Sequence, residues 1–306
     1  MMLSRIAESL FWIGRYLERA EDTCRIVEMH QQLLADDPSV DPDDAAATLL
    51  VVMGAPVASS GETEVLRPLI YDTASPASVA VALTGAREAA RRARETVSSE
   101  VWEAINTTWN SVKGGRLQRM RATAAFRLVR ERCAVITGTA DQTMSHDEGW
   151  LFLTLGRSIE RVDMTARLIT IALAISTQGA WNNVLRGCGA HHAFVRSYGG
   201  VTTPREAAEF VLLDRQFPRS VVHNLRAAEV ALRQLDLAAS TRGYEDEATR
   251  LLGTARSGLE YRDPARVLDD LGLRMAELQR TCNQVSEALT ERYFSGVTVA
   301  NWSGGS

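Results

Sequence analysis

The sequence predicts an all-α fold, a helical bundle built from two pseudo-twofold related repeats. Three observations carry that expectation. Eight prolines in 306 residues are few, and the abundant alanine, leucine, glutamate and arginine all favour helix. No stretch alternates apolar and polar residues between hairpin turns, as a half-buried strand would. A motif with the spacing of one helix face occurs near the N-terminus and again past the middle of the chain.

The elements follow in order. Ser4 is placed to cap a first helix running to about Ala35, where Asp36-Asp37-Pro38 ends it. Pro56–Thr63 reads as the longest loop, and Gly114-Gly115 as a shorter one. Ser145 and Glu148 form an S-x-x-E capping box for a second long helix, predicted to reach about Gln178 before Gly179. Gly199-Gly200 marks another loop. Thr203-Pro204-Arg205-Glu206 is a further box, with proline at the first helical position. Asp263-Pro264 is expected to open a late helix reaching Phe294, before a Gly/Ser-rich tail after Trp302.

Gly14-Arg15-Tyr16-Leu17-Glu18-Arg19-Ala20-Glu21-Asp22-Thr23-Cys24-Arg25 reappears as Gly156-Arg157-Ser158-Ile159-Glu160-Arg161-Val162-Asp163-Met164-Thr165-Ala166-Arg167. The shared pattern is G-R-x-x-E-R-x-[ED]-x-T-x-R. Ser75-Pro76 is matched with Thr203-Pro204, each ahead of an apolar helical run. The expected organisation is a duplication, 1–142 and 143–306, forming together one compact domain.

Composition bounds the function. The formal charge of −4 and a pI near 5.8 give no global case for nucleic acid. Only Lys113 among the 34 basic residues is lysine, a skew that codon usage explains as well as function does. Four scattered cysteines without a C-x-x-C pair suit a reducing compartment. The opening residues, with Arg5 and Glu8 in an amphipathic pattern, are unlike a signal peptide, and Ala45–Ala58 and Leu168–Ser176 are too short or interrupted to span a bilayer. A cytoplasmic protein with no membrane association is expected.

On a helix of about 100° per residue, Ile6, Leu10, Ile13, Leu17, Ala20 and Cys24 form an apolar stripe. Arg15, Glu18, Asp22 and Arg25 lie in an arc of about 80° beside it, with Gly14 between the two. The second copy maps alike: Leu155, Ile159, Val162 and Ala166 form its stripe, with Arg157, Glu160 and Arg167 beyond Gly156. Glycine inside a helix costs about 1 kcal/mol against alanine, so two at matched positions point to helices crossing closely. Glu18 and Glu160 are then drawn into a partly desolvated network with Arg15, Arg19, Arg161 and their neighbours. Three readings stay open: a network that sets helix register, an anion or peptide site lined by Arg15 and Arg157, and acid–base catalysis by Glu18 or Glu160 in a cleft between the repeats.

Other chemistry is weaker. A di-iron bundle needs E-x-x-H on two helices, and the sequence has none; Glu28 and His30, two apart, cannot share a helix face. The adjacent His191 and His192 point different ways, so no metal site is expected. There is no P-loop, G-x-G-x-x-G or G-x-S-x-G. Cys133, among Arg130, Glu131 and Arg132, reads as a buried structural thiol before a reactive one. Arg87, Arg91 and Arg94 are predicted to share a helix face near Trp102 and Trp109, either as a solvated face or as a patch for an acidic partner surface.

The chain resembles the bacterial alpha-E proteins, helical proteins with a recurring E-R motif. The resemblance covers essentially the whole chain: Leu3 through Arg19, the second G-R-x-x-E-R at Gly156–Arg161, Trp102-Glu103-Ala104-Ile105-Asn106, Leu212 through Ser220 (L-L-D-R-Q-F-P-R-S), and Arg292-Tyr293-Phe294. Asp22 and Cys24 stand where asparagine and alanine are expected, and Met164 where asparagine is. The resemblance implies an accessory or co-catalytic partner of a circularly permuted ATP-grasp ligase, with a transglutaminase-like protease as a further partner, in a system that makes and trims peptide or amide bonds. It implies no cofactor on this chain, with ATP and magnesium on the ligase, and carries over no catalytic residue.

Overall fold

A computed structural model of the chain describes residues 2–57, 64–175, 179–199, 203–235 and 246–295. Two long helices form its axis: α1 (Ser4–Asp36) and α6 (Glu148–Ile175). Both bury residues around most of their circumference, as a helix must when packed on several sides. Shorter helices surround them in two sets. The first is α2 (Pro42–Met53), α3 (Val79–Arg92), α4 (Ser99–Val112) and α5 (Ala122–Thr143). The second is α7 (Ala180–Gly187), α8 (His191–Tyr198), α9 (Pro204–Leu213), α10 (Val221–Leu235), α11 (Glu247–Glu260) and α12 (Leu271–Leu289). Among the described residues there is no strand, so the all-α class holds.

The sets pack in parallel fashion. α3 and α5 lie on α1, and α10 and α12 lie on α6; α2 reaches across to α6 and α7 to α1. α3 and α10 start in the same way. The hydroxyl of Ser78 donates to the Asp72 carbonyl and accepts from Val81 N, while that of Ser220 donates to the Asp214 carbonyl and accepts from His223 N. The turn before α3 therefore corresponds to Asp214–Ser220, and Pro76 to Pro218. This corrects the match of Ser75-Pro76 with Thr203-Pro204. Pro204 is itself the first residue of α9, whereas Pro76 lies before the cap of α3.

Three boundaries also move. Ser4 is the first residue of α1 behind Leu3, which makes no side-chain cap. Asp147, not Ser145, caps α6: its Oδ1 accepts from Gly149 N at 2.9 Å and from Trp150 N at 3.4 Å. The expected late helix is divided into a short turn at Pro264–Arg266, α12, and a wider final turn at Thr290–Phe294. The break is at Asp270, whose φ of 54° cannot continue a right-handed helix. Thr203 caps α9 as expected, with Glu206 N donating to its Oγ1 at 3.2 Å, but the Glu206 carboxylate accepts from the Thr203 hydroxyl at 2.7 Å, so the reciprocal half of the box takes a different form. Most of the Pro56–Thr63 loop, the end of the second long helix at Gln178, Gly200 and the tail after Trp302 lie outside the described residues.

Glycine sets how closely the axial helices approach. A β-carbon on Gly14 would stand 2.1 Å from the Leu153 carbonyl oxygen, and one on Gly156 would stand 2.0 Å from that of Phe11. Exchanging the two helices reproduces the contact. Phe294 closes over the crossing, with its ring 5.4 Å from Phe11 and 6.0 Å from Phe152. Because the obstructing atoms are backbone, neither helix relieves the clash by turning a side chain.

Gly14→Ala and Gly156→Ala are each expected to lower stability by about 3 kcal/mol, read as a fall in Tm. Gly138, inside α5 with open space at its β position, provides the control; Gly138→Ala should raise stability by about 0.5–1 kcal/mol.

Candidate functional site

One turn beyond the glycine crossing, each motif glutamate meets the motif arginine of the other helix. Arg19 donates to Glu160 through Nε at 2.5 Å and Nη2 at 3.1 Å; Arg161 donates to Glu18 through Nε and Nη2, both at 2.6 Å. The two E-R pairs therefore exchange partners across the axis. Glu160 is completely buried and Glu18 is 3% exposed. Bidentate guanidinium bonds supply the charge-assisted partners that such burial demands.

Around this exchange the halves differ. Glu160 also accepts from Arg15 Nε at 2.5 Å, and Arg15 extends to Ser286 on α12 at 2.5 Å. Arg157, the counterpart of Arg15 in the repeat, does not take the matching place on Glu18. Its nearest ion-pair partner is Asp141 at 3.8 Å. Burial, then the charge of Arg161, lowers the pKa of Arg157 from its ordinary value. The place on Glu18 is taken by Arg219, from the turn before α10, at 3.0 Å. Arg219 also reaches Glu21 at 3.1 Å and Asp22. Motif reading alone missed Arg219 as a network member. The available signal was Pro218-Arg219-Ser220 set against Pro76-Ala77-Ser78, where arginine stands at an alanine position.

The outer motif arginines pair along their own helices. Arg25 donates to Glu21 at 2.8 and 3.0 Å, and Arg167 to Asp163 at 2.8 Å and to the Val52 carbonyl. Asp163 Oδ1 has no hydrogen-bond partner among the described residues.

Electrostatics separates these carboxylates. Burial alone would raise Glu18, but Arg161 and Arg219 outweigh it and hold the pKa at about 2. Burial would likewise raise Glu160, and Arg15 and Arg19 bring it to about 2. Asp22 moves the other way: burial, then Glu18 and Glu21, push it up against the pull of Arg219. Glutamates that stay ionised and fully bonded suit a clamp and are poorly matched to moving protons near neutrality. Burial also raises all four cysteine thiols, Cys188 to about 12, so Cys133 is a structural thiol.

The expected arginine patch is largely engaged within the chain. Arg87 donates to Asn106 at 3.0 Å and Glu88 at 2.8 Å and lies over the Trp109 ring at 4.2 Å. Arg91 pairs with Glu88 at 2.9 Å while staying 63% exposed. Arg94 lies beyond the end of α3 and stands 5.6 Å over Trp102. A continuous stripe of free charge is therefore not formed, because Glu88 and two indoles intervene. Among the described residues no three metal-ligating side chains gather, and no helix is long and apolar enough to cross a membrane.

The Alpha-E family, described as a predicted alpha-helical domain with a conserved ER motif, matches residues 2–294. Uncharacterized proteins of Mycobacterium bovis and of two Mycobacterium tuberculosis strains are each 23% identical over 321 residues, covering 94% of this chain and 36% of the relative. The chain thus spans about a third of the length of the curated relatives it matches. No solved structure matches it.

Glu18→Gln and Glu160→Gln should each destabilise the fold by about 3–5 kcal/mol, since each strands buried guanidinium charge. Unchanged Tm with lost activity in the cognate system would assign the glutamates to chemistry instead. Folded-state values near 2, against 4.5 ordinarily, place the clamp's contribution above about pH 4.5 and its loss as pH falls toward 2. An acid titration by circular dichroism should show that window, shifted in either variant.

Proposed function

The chain belongs to the Alpha-E family, and from that premise we propose that it is an accessory or co-catalytic subunit of a circularly permuted ATP-grasp ligase, supporting ATP-dependent peptide or amide bond formation. One observation carries the reading: the family's E-R motif is engaged in an internal cross-helix clamp. Its glutamates are buried, ionised and fully bonded by Arg15, Arg19, Arg161 and Arg219. A motif used in this way builds a scaffold and leaves the bond-forming chemistry to a partner.

The scaffold is a duplication of 1–142 and 143–306, supported by the motif copies, the reciprocal glycine contacts and the matched serine caps of α3 and α10. ATP and magnesium belong to the ligase in this reading, a transglutaminase-like protease is a second partner, and the complex is cytoplasmic. The relatives agree with a unit that works beside others, since the matching stretch occupies 36% of a longer chain. Arg157 favours one alternative. It is a half-buried guanidinium whose carboxylate partner stands 3.8 Å away, a place where an anion or peptide carboxylate would find an under-used donor.

The ligase interface falls best on Arg91, Arg94 and the Trp102 face, with Arg87 and Trp109 holding that surface in shape. Co-expressing the chain with its cognate ligase and measuring ATP turnover over amino-acid acceptors tests the reading. The chain alone should turn over no ATP, and acceptor-dependent turnover should appear only with the ligase; robust ligase or hydrolase activity from the chain alone overturns it. Charge reversal at Arg91 and Arg94 should weaken association and its salt dependence while the helical spectrum stays unchanged.

A further inference from the structure

α4 and α11 are helices of 14 residues capped alike: Ser98 accepts from Val101 N, and Asp246 from Thr249 N. Counting from those caps sets Trp102 against Arg250 and Trp109 against Ser257. The same count from Ser78 and Ser220 sets Arg87 against Glu229. In the first half this position holds a packed unit, with Trp109 under the Arg87 guanidinium at 4.2 Å and Trp102 against the core. In the second half both indoles are missing. Glu229, 4% exposed, is held by Arg233 and by Arg256 at 2.6 Å, and a β-carbon on Gly253 would meet only its carboxylate, at 3.8 Å.

A cavity of about 1240 Å³ opens there, between α10, α11 and α12. Five arginines and three glutamates line it. Arg233 and Arg256 are matched to Glu229, and Arg250 to Glu247. Arg274 donates to the Asp269 carbonyl at 3.2 Å, and Arg280 has no carboxylate partner among the described residues. The cavity is therefore cationic on balance, and its wall is lowered by Ser257 and Gly258. Leu251, Ala255, Leu259 and Leu278 give the cavity an apolar part, and Arg274, Glu277 and Arg280 lie along its α12 side. An apolar centre with a charged rim is the composition of a place where a partner segment sits.

We propose that this cavity is a docking site for a partner-protein segment presenting an aromatic side chain flanked by carboxylates. The first half displays the complementary chemistry within the chain itself: an indole under a guanidinium fills the equivalent place. Arg280 and Arg274 take the flanking carboxylates, and the aromatic ring takes the volume that Ser257 leaves. The inference goes beyond the ligase reading and does not depend on it.

The test titrates the full chain with an acetylated, amidated glutamate–tryptophan–glutamate tripeptide carrying 5-fluorotryptophan, followed by its fluorine resonance. A saturable shift at millimolar peptide or below is expected, weakened about tenfold or more both by Ser257→Trp, which supplies the missing indole, and by Arg280→Glu. Arg280 is exposed, so its variant decides the question if Ser257→Trp fails to fold. Absence of saturable binding, or binding that survives either folded variant, overturns the proposal. Those results leave the ATP-turnover comparison untouched, and a failure there leaves this titration untouched.

Discussion

The contact between two backbones at Gly14 and Gly156 governs the rest of the molecule. With no β-carbon on either helix, the glycines approach the opposite carbonyl oxygens closely, and side chains one turn away lose their water. Glu18 and Glu160 lie in that dehydrated zone. They remain charged only because guanidinium groups reach them from the facing helix, with the geometry that two parallel N–H donors allow. Close approach creates the demand for ion pairing, and ion pairing fixes the register in which close approach is possible. The surrounding helices then pack on an axis whose rotation and translation are already set.

The departures from equality between the halves are as informative as the likeness. Arg15 fills its place on Glu160, while Arg157 is displaced from Glu18 by Arg219, an arginine from a turn whose counterpart carries Ala77. That exchange ties Glu21 and Asp22 into the cluster; burial, then Glu18 and Glu21, push Asp22 up against the pull of Arg219, while Glu18 stays low. A comparable divergence separates α4 from α11. Two tryptophans under arginine pack the one, and small residues leave the other open. One half has kept a filled surface and the other a cavity.

These features divide the labour within the chain. Its most distinctive residues are turned inward, where permanent charge and burial suit them to hold helices and not to shuttle protons. The cysteines share that fate, with thiols raised by burial out of the reactive range. The outer helices carry arginine beside two indoles in the first half and around an open cavity in the second.

The all-α class, the two long helices, the motif copies and the crossing glycines were legible in the sequence, because helical period and glycine cost are local properties that a spacing of three and four residues exposes. The burial of Glu18 and Glu160 among arginines was legible for the same reason, since position on a helix face tells which side chains border the core. The sequence did not reveal which arginine would reach which glutamate. Arg219 joins across 201 residues of chain from Glu18 by a turn whose path is set by how α10 lies on α6. Nor could spacing tell that Arg87 would lie on Trp109 instead of facing solvent, or that Asp147 and not Ser145 would cap α6. Local propensity names the candidates for a cap, an ion pair or a patch, and only the packed chain brings one of them within hydrogen-bonding distance and excludes the water that would otherwise have served instead.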